Sequence, residues 1–163
     1  MRVAIALGSN LGDREAHLRA AVAALGAVLS PFHVSSFRET EPVEVAGSQP
    51  MFLNAAATGE SALSASAVLD VLLAVEQRFG RERPYPNAPR TLDLDLILYG
   101  DSIIDVPGVI VPHPRFRERR FVLEPLVEIA PDWMDPVTGK TMRELFEELV
   151  NPKSQIPNPK SQL

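Results

Sequence analysis

In residues 91–99, Leu92, Leu94, Leu96 and Leu98 alternate with Thr91, Asp93, Asp95 and Ile97. A period of two places one set on each side of an extended chain, so the segment predicts a β-strand with one apolar face. A single strand cannot satisfy its own backbone, and partners must come from elsewhere in the chain. Residues 2–8 supply one, with Val3, Ile5 and Leu7 alternating with small Ala4 and Ala6 before Gly8. Residues 34–40 and 52–59 read as two more.

Helical periodicity fills the gaps. Asp13 is a candidate N-cap, after which Ala16, Leu18, Ala21, Val22 and Leu25 recur at helical spacing up to Gly26. Ser64 opens a second helix through Val68, Leu69, Leu72, Leu73 and Phe79 to Gly80. The order βαββαβ predicts an α+β, ferredoxin-like core: a split βαβ whose antiparallel sheet carries helices on one face. Residues 103–111 read as an added hairpin. Residues 118–129 and 141–150 read as two further helices, the second opened by the capping box Thr141, Met142, Arg143, Glu144. Trp133, between them, is expected to anchor packing.

Residues 1–150 are expected to form one domain, since 163 residues with 45% hydrophobic content suit a single core. In residues 151–163 the run Asn151-Pro-Lys-Ser-Gln155 recurs from Asn158 to Gln162; it has no apolar period and is expected to be disordered. Cysteine is absent, which excludes disulfides, CxxC redox chemistry and Cys-ligated zinc, and fits a reducing cytoplasm. The N-terminus lacks the pattern of a signal peptide, and no apolar run is long enough to span a bilayer. The formal charge of -5 is the wrong sign for a protein that coats nucleic acid or an anionic membrane. Neither is expected as a partner.

An anionic ligand must therefore be met locally. Arg outnumbers Lys thirteen to three, and eight of the thirteen fall between Arg78 and Arg120. The planar Arg fork suits phosphate, although genomic base composition produces the same bias. Within this half lie Asp93 and Asp95, whose carboxylates project from one strand face roughly 6–7 Å apart along the backbone. Such a pair suits Mg²⁺, which takes oxygen ligands. The plainer reading, a solvated face where carboxylates cost little, is favoured by spacing alone. Against it stand Arg81, Arg83 and Arg90 before the pair and His113, Arg115, Arg117, Arg119 and Arg120 after it, an array suited to phosphoryl transfer. Gly8-Ser9-Asn10-Leu11-Gly12 lacks the endings of a P-loop or a dinucleotide fingerprint and reads as a tight turn. Residues 41–50 and 81–89 are long and irregular, and are expected to be more mobile than the strands without ligand.

These residues resemble a known family, the 6-hydroxymethyl-7,8-dihydropterin pyrophosphokinases of folate biosynthesis. The likeness is carried by ALGSNLGDR from Ala6, FLNAA from Phe52, Gly80-Arg81, APRTLDLDLILYG from Ala88 and VPHPRFRERRFVLEPLVEIAP from Val111. It implies transfer of the β,γ-diphosphoryl unit of ATP to the hydroxymethyl group of the reduced pterin, with release of AMP. By the same likeness Asp93 and Asp95 hold two Mg²⁺ ions, and Arg81, Arg90 and Asp95 serve catalysis. Glu76, Arg83, Arg90, Leu96, Ile110, His113 and Arg119 meet ATP, with backbone of Leu96 and Ile110 toward adenine. Phe52 and Phe121 sandwich the pterin ring, while Thr40, Pro42, Val43 and Asn54 line its polar edge. Asn87, Gly108 and Pro114 depart from residues that some members carry. A monomer or weak homodimer is expected. Two rivals remain: a phosphohydrolase using Asp93, Asp95 and His113, and a non-enzymatic module binding nucleotide or RNA, which the charge disfavours.

Overall fold

The computed structural model describes residues 1–40, 51–79 and 92–152. Its elements are β1 (Arg2–Ser9), α1 (Arg14–Gly26), β2 (Phe32–Val34), β3 (Arg38–Thr40), β4 (Phe52–Glu60), α2 (Ala65–Arg78), β5 (Asp93–Tyr99), β6 (Ile104–Val106), β7 (Val109–Val111), a 3-10 turn (Phe116–Glu118), α3 (Arg120–Ile129) and α4 (Met142–Val150). The sheet order is β2-β4-β1-β5, with β3 also paired to β4, and every pairing is antiparallel. This is the ferredoxin-like core expected from the element order. The hairpin β6–β7 forms its own two-stranded sheet. Among the described residues no helix is long and apolar enough to cross a membrane.

The expected caps form. Ala16 N–H donates to Asp13 Oδ1 at 3.1 Å, and Ala67 N–H to the Ser64 hydroxyl at 3.2 Å. At α4 both halves of the capping box are made: Glu144 N–H to Thr141 Oγ1 at 3.1 Å and Thr141 N–H to Glu144 Oε1 at 3.0 Å. Each satisfies backbone groups that a helix end leaves open.

The ferredoxin-like core carries α1 and α2 on one face as expected, and the added C-terminal helices cover the other. Val3, Ile5 and Leu7 pack with Leu18, Leu25, Val68 and Leu72 of α1 and α2. Ala4, Ala6 and Ala56 point the other way and join Val122, Leu123, Leu126, Met142 and Leu145 of α3 and α4 in a second core. The small alanines are the floor on which α3 lies close. Trp133 packs at the edge of this core, with the Arg2 guanidinium 5.3 Å from its ring centroid.

Two bulges decide what the second face displays. The strand expected over 34–40 is two strands, because the register with β4 shifts by one residue between Val34↔Ala57 and Arg38↔Asn54. Ser35 bridges the break: its N–H donates to Ala56 O and its hydroxyl accepts from Ala56 N–H, both at 2.9 Å. A one-residue slip reverses the facing of everything beyond it. Phe32 therefore packs with α1 and α2, whereas Arg38 and Thr40 turn to the opposite face. In β5 a second shift, between Leu96↔Ile5 and Leu98↔Ala4, leaves Ile97 as the extra residue, and both Ile97 and Leu98 enter the second core. The strand begins at Asp93, and the helix expected over 118–129 is the 3-10 turn followed by α3. The two expected loops, 41–50 and 81–89, and nearly all of the tail lie outside the described residues.

Candidate active site at the open end of the sheet

Beyond the reach of the second core, the same sheet face is polar. Two rows of paired residues cross it: Asn54, Gly8 and Asp93, then Ala56, Ala6 and Asp95. Arg38 extends the first row, and Thr40 pairs with Phe52 beside it. Asp93 and Asp95 are half-buried and lie on this face because Leu92, Leu94 and Leu96 fill the core on the other. This is the face of the sheet on which α3 packs over β4, and both carboxylates are partly rather than fully exposed there. Two inter-strand spacings, about 10 Å, separate Asn54 from Asp93.

Gly8 sits between them. A Cβ there would lie 3.0 Å from Asn54 Oδ1 and 3.7 Å from a ring carbon of Phe52, so glycine keeps the floor bare next to both side chains. The Asn54 amide donates to Thr40 Oγ1, which fixes both groups. Asn54 itself is 5% exposed. Its pairing to Thr40 exists only because the Ser35 bulge brings Thr40 to this face.

The wall is α3. Its Glu128 accepts from Ser36 Oγ at 2.6 Å, Ser36 N–H at 2.8 Å and Arg38 Nη2 at 2.7 Å, and Arg38 also pairs with Glu124 at 3.4 Å. The Ser36 hydroxyl bond, with the Ser36 N–H and Arg38, outweighs partial burial and holds the Glu128 carboxyl below its ordinary range. Phe121, in the first turn of α3, packs against the second core, and α3 crosses β4, the strand that carries Phe52. At the other side Arg14 donates to Met51 O at 2.7 Å and to Glu39 Oε1 at 2.6 Å, tying the start of α1 to β3 and to the residue before β4.

The outer edge of β5 forms the remaining side. Ile97 O, exposed by the bulge, accepts His113 N–H at 2.9 Å. His113 Nδ1 in turn accepts Arg115 N–H at 3.1 Å, which assigns the proton of the neutral ring to Nε2. Burial, then the positive charge of Arg119, lower the His113 pKa; Arg115 adds to this and Asp93 opposes it. The imidazole is thus electrostatically coupled to both Asp93 and Arg119. The Arg119 guanidinium lies 5.6 Å from the Phe121 ring centroid. Ile110 is half exposed on β7.

Glu76 is among the residues expected to meet ATP. It is 4% exposed on α2, behind the sheet, and its Oε2 accepts Leu94 N–H at 2.8 Å, satisfying a backbone group at the edge of β5. Pro42, Val43, Arg81, Arg83 and Arg90 lie outside the described residues. The structure therefore brings together Thr40, Phe52, Asn54, Asp93, Asp95, His113, Arg119 and Phe121. Gly8, Arg14, Ser36 and Glu128 were missed. Gly8 and Arg14 lie inside the motif ALGSNLGDR, where Gly8 reads as part of a tight turn and Arg14 has no assigned role; Ser36 and Glu128 are 92 residues apart and carry no local signal.

Oxygen donors on one face suit Mg²⁺. Among the described residues no cluster of three or more His, Cys, Asp or Glu side chains could hold a metal unaided. A two-carboxylate site fits this ion, which keeps waters and takes substrate phosphates as ligands.

With this geometry stand the likenesses to known proteins. A profile of the family described as 7,8-dihydro-6-hydroxymethylpterin-pyrophosphokinase (HPPK) matches residues 4–131. The chain belongs to the HPPK family. It is 42% identical over 146 residues to a 2-amino-4-hydroxy-6-hydroxymethyldihydropteridine pyrophosphokinase of Synechocystis, covering 89% of this chain and 74% of that one. To the protein of the same name from Bacillus subtilis it is 46% identical over 127 residues, 77% of this chain and 75% of the other. Among solved structures it resembles Plasmodium falciparum HPPK-DHPS with pteroate at a TM-score of 0.76 and 13% identity, over 94% of this chain. It spans 45% of that longer chain, and at this identity the match speaks for the fold of the HPPK family alone.

Proposed function

We propose that the chain carries out the pyrophosphokinase step of folate biosynthesis through this site, transferring the β,γ-diphosphoryl unit of ATP to 6-hydroxymethyl-7,8-dihydropterin. The hydroxymethyl oxygen bonds to Pβ, the Pβ–O bond to the α-phosphate breaks, the hydroxyl proton is lost and AMP leaves. One observation carries the reading: Asp93 and Asp95 share a sheet face with Asn54, Thr40 and Phe52 at a separation that suits a polyphosphate meeting a flat heterocycle.

Each group has a task set by its chemistry. Asn54 and Thr40 present a fixed pattern of donor and acceptor to the amide-like edge of the pterin, and Phe52 and Phe121 supply the apolar faces. A ring held between two aromatics gains about 0.5–1.5 kcal/mol per pair beyond area burial, while the polar edge decides which ring is accepted. His113 and Arg119 direct an Nε2–H and a guanidinium toward phosphate oxygens. The backbone of Leu96 and of Ile110 borders adenine, and Glu76 acts on the nucleotide through the strand it steadies. Pro42, Val43, Arg81, Arg83 and Arg90 complete the pterin and phosphate contacts.

Asp93 and Asp95 would hold Mg²⁺, two ions in our reading, which neutralises triphosphate charge and favours the alkoxide-like attacking oxygen when bound. The protein's contribution is positioning, which suits a transfer that asks for little covalent help. All these residues come from one chain, so a monomer suffices, and use of ATP as a substrate supports a cytoplasmic enzyme.

The test is AMP release from ATP and Mg²⁺ with and without 6-hydroxymethyl-7,8-dihydropterin. AMP is expected only when the pterin is present; ATP consumption without it would establish the phosphohydrolase instead. Asp95→Ala is expected to lower kcat at least about a hundredfold with its thermal unfolding midpoint within a few degrees of wild type, because it removes a metal ligand and no core volume. A variant as active as wild type would refute the site.

A further inference from the structure

The arm that carries His113 and Arg119 runs from the end of β7 to the start of α3, and only part of it is held by the sheet. Its first anchor is the His113 N–H bond to Ile97 O. Its second lies outside the residues matched by the family profile, in the turn between α3 and α4. Asp135 there is 0% exposed, and it accepts Arg117 Nε at 2.5 Å and Nη2 at 2.9 Å, both carboxylate oxygens engaged by one guanidinium.

The acceptor is built in advance of that contact. Val137 N–H donates to Asp135 Oδ1 at 3.0 Å and Thr138 Oγ1 to Oδ2 at 2.7 Å, while Asp135 N–H and C=O are tied to Lys140 O and Gly139 N–H, each at 2.8 Å. On the arm side, Phe116 is 0% exposed among Met142 and Leu145 of α4, and the Arg117 guanidinium lies 4.8 Å from its ring centroid. Arg119 N–H donates to Phe116 O at 3.2 Å, so the turn held by Arg117 sets where the Arg119 backbone starts. Arg119 O then accepts Val122 and Leu123 N–H, both at 3.0 Å, at the head of α3.

We infer that the Arg117–Asp135 pair is a positioning device for nucleotide binding: it pins the phosphate-facing arm to the C-terminal turn, so that residues 132–150 take part in ATP recognition without touching ATP. The role follows from bidentate geometry, which fixes direction as well as distance. It rests on the pyrophosphokinase reading of the site. Arg117 and Asp135 are positioning residues, since neither is assigned a contact with a substrate. Phe121 is less dependent on the pair, because α3 is held by its own packing in the second core and by Glu128.

Arg117→Lys keeps the charge but loses the fork, and Asp135→Asn keeps the shape but loses the charge. Three measurements separate the roles: thermal unfolding, amide hydrogen exchange over residues 112–119, and titration with Mg²⁺ plus α,β-methylene-ATP and, separately, with the pterin. Arg117→Lys is expected to unfold cooperatively, to exchange severalfold faster over 112–119, and to bind the ATP analogue at least about tenfold more weakly while pterin affinity stays within about twofold. Folded Asp135→Asn should move in the same direction. A folded variant with wild-type affinity for the analogue, or with equal losses for both ligands, overturns the positioning role. If Asp135→Asn does not fold, Arg117→Lys decides; if neither folds, the pair is a fold element and the assignment is rejected. Wild-type protein that ignores the analogue overturns the pyrophosphokinase reading as well, a result distinct from a variant-specific failure.

Discussion

Gly8 shows how much a missing side chain can do. The contact that a Cβ would make with Asn54 Oδ1, 3.0 Å, is shorter than packed atoms ordinarily accept, and the amide cannot yield without leaving Thr40. Gly8→Ala is therefore expected to raise KM for the pterin about tenfold, equal to about 1.4 kcal/mol, with KM for ATP little changed; steady-state kinetics with each substrate varied would show it. Asp135 gives a pH dependence with a definite sign. Burial pushes its carboxyl up, but hydrogen bonds from Arg117, Thr138 and Val137 and the Arg117 charge outweigh that and hold it below its ordinary value. The unfolded chain then takes up a proton first as pH falls, so the stabilisation is complete above about pH 4 and is lost as pH drops through the lower folded value. Urea midpoints between pH 6 and pH 3 should fall less steeply for Asp135→Asn than for wild type. At this scale the acidic strand was legible as a pattern, because a carboxylate every second residue in a leucine strand contrasts with its neighbours, whereas Phe52 and Phe121 were marked only by the family resemblance. Gly8 was not legible: a glycine after a strand looks like a turn until the facing Asn54 is known.

Elements were legible wherever one local period dominates. The helices from Asp13 and Ser64 begin at their expected caps, and α4 begins at its capping box, since these depend on residues three apart. Thr141→Ala removes the hydroxyl that accepts Glu144 N–H while leaving the backbone bond to Glu144 Oε1 in place, and is expected to cost about 1 kcal/mol, read as a lower denaturation midpoint, with KM values unchanged provided α4 stays docked. The bulges were not legible. Ser35 differs from its neighbours Ser36 and Phe37 in no way that local pattern reports, yet its hydroxyl takes the place of a backbone acceptor for Ala56 N–H. The gain of one residue there reverses the facing of β3 and delivers Thr40 to the site. In β5 the same device frees Ile97 O for His113.

The whole molecule is a sheet between two cores, and the second decides the site. Phe116, Val122 and Leu123 are buried only because Met142 and Leu145 close over them from a helix beyond residue 131. A chain ending at Pro131 is expected to lose cooperative thermal unfolding and to bind a hydrophobic dye, since it bares the Phe116 and α3 surface that Met142 and Leu145 cover. A full cooperative transition in that truncated chain would show the second core to be dispensable. The sequence by itself determined the order of elements, the caps, the acidic strand and the family, because each rests on neighbours along the chain or on runs of consecutive residues. Only the tertiary structure decided that α3 and α4 cover the opposite face, that Glu76 serves the strand edge, and that Arg117 meets Asp135. These depend on the register between strands and on contacts across long stretches of chain, and both are set by packing, which no local period encodes.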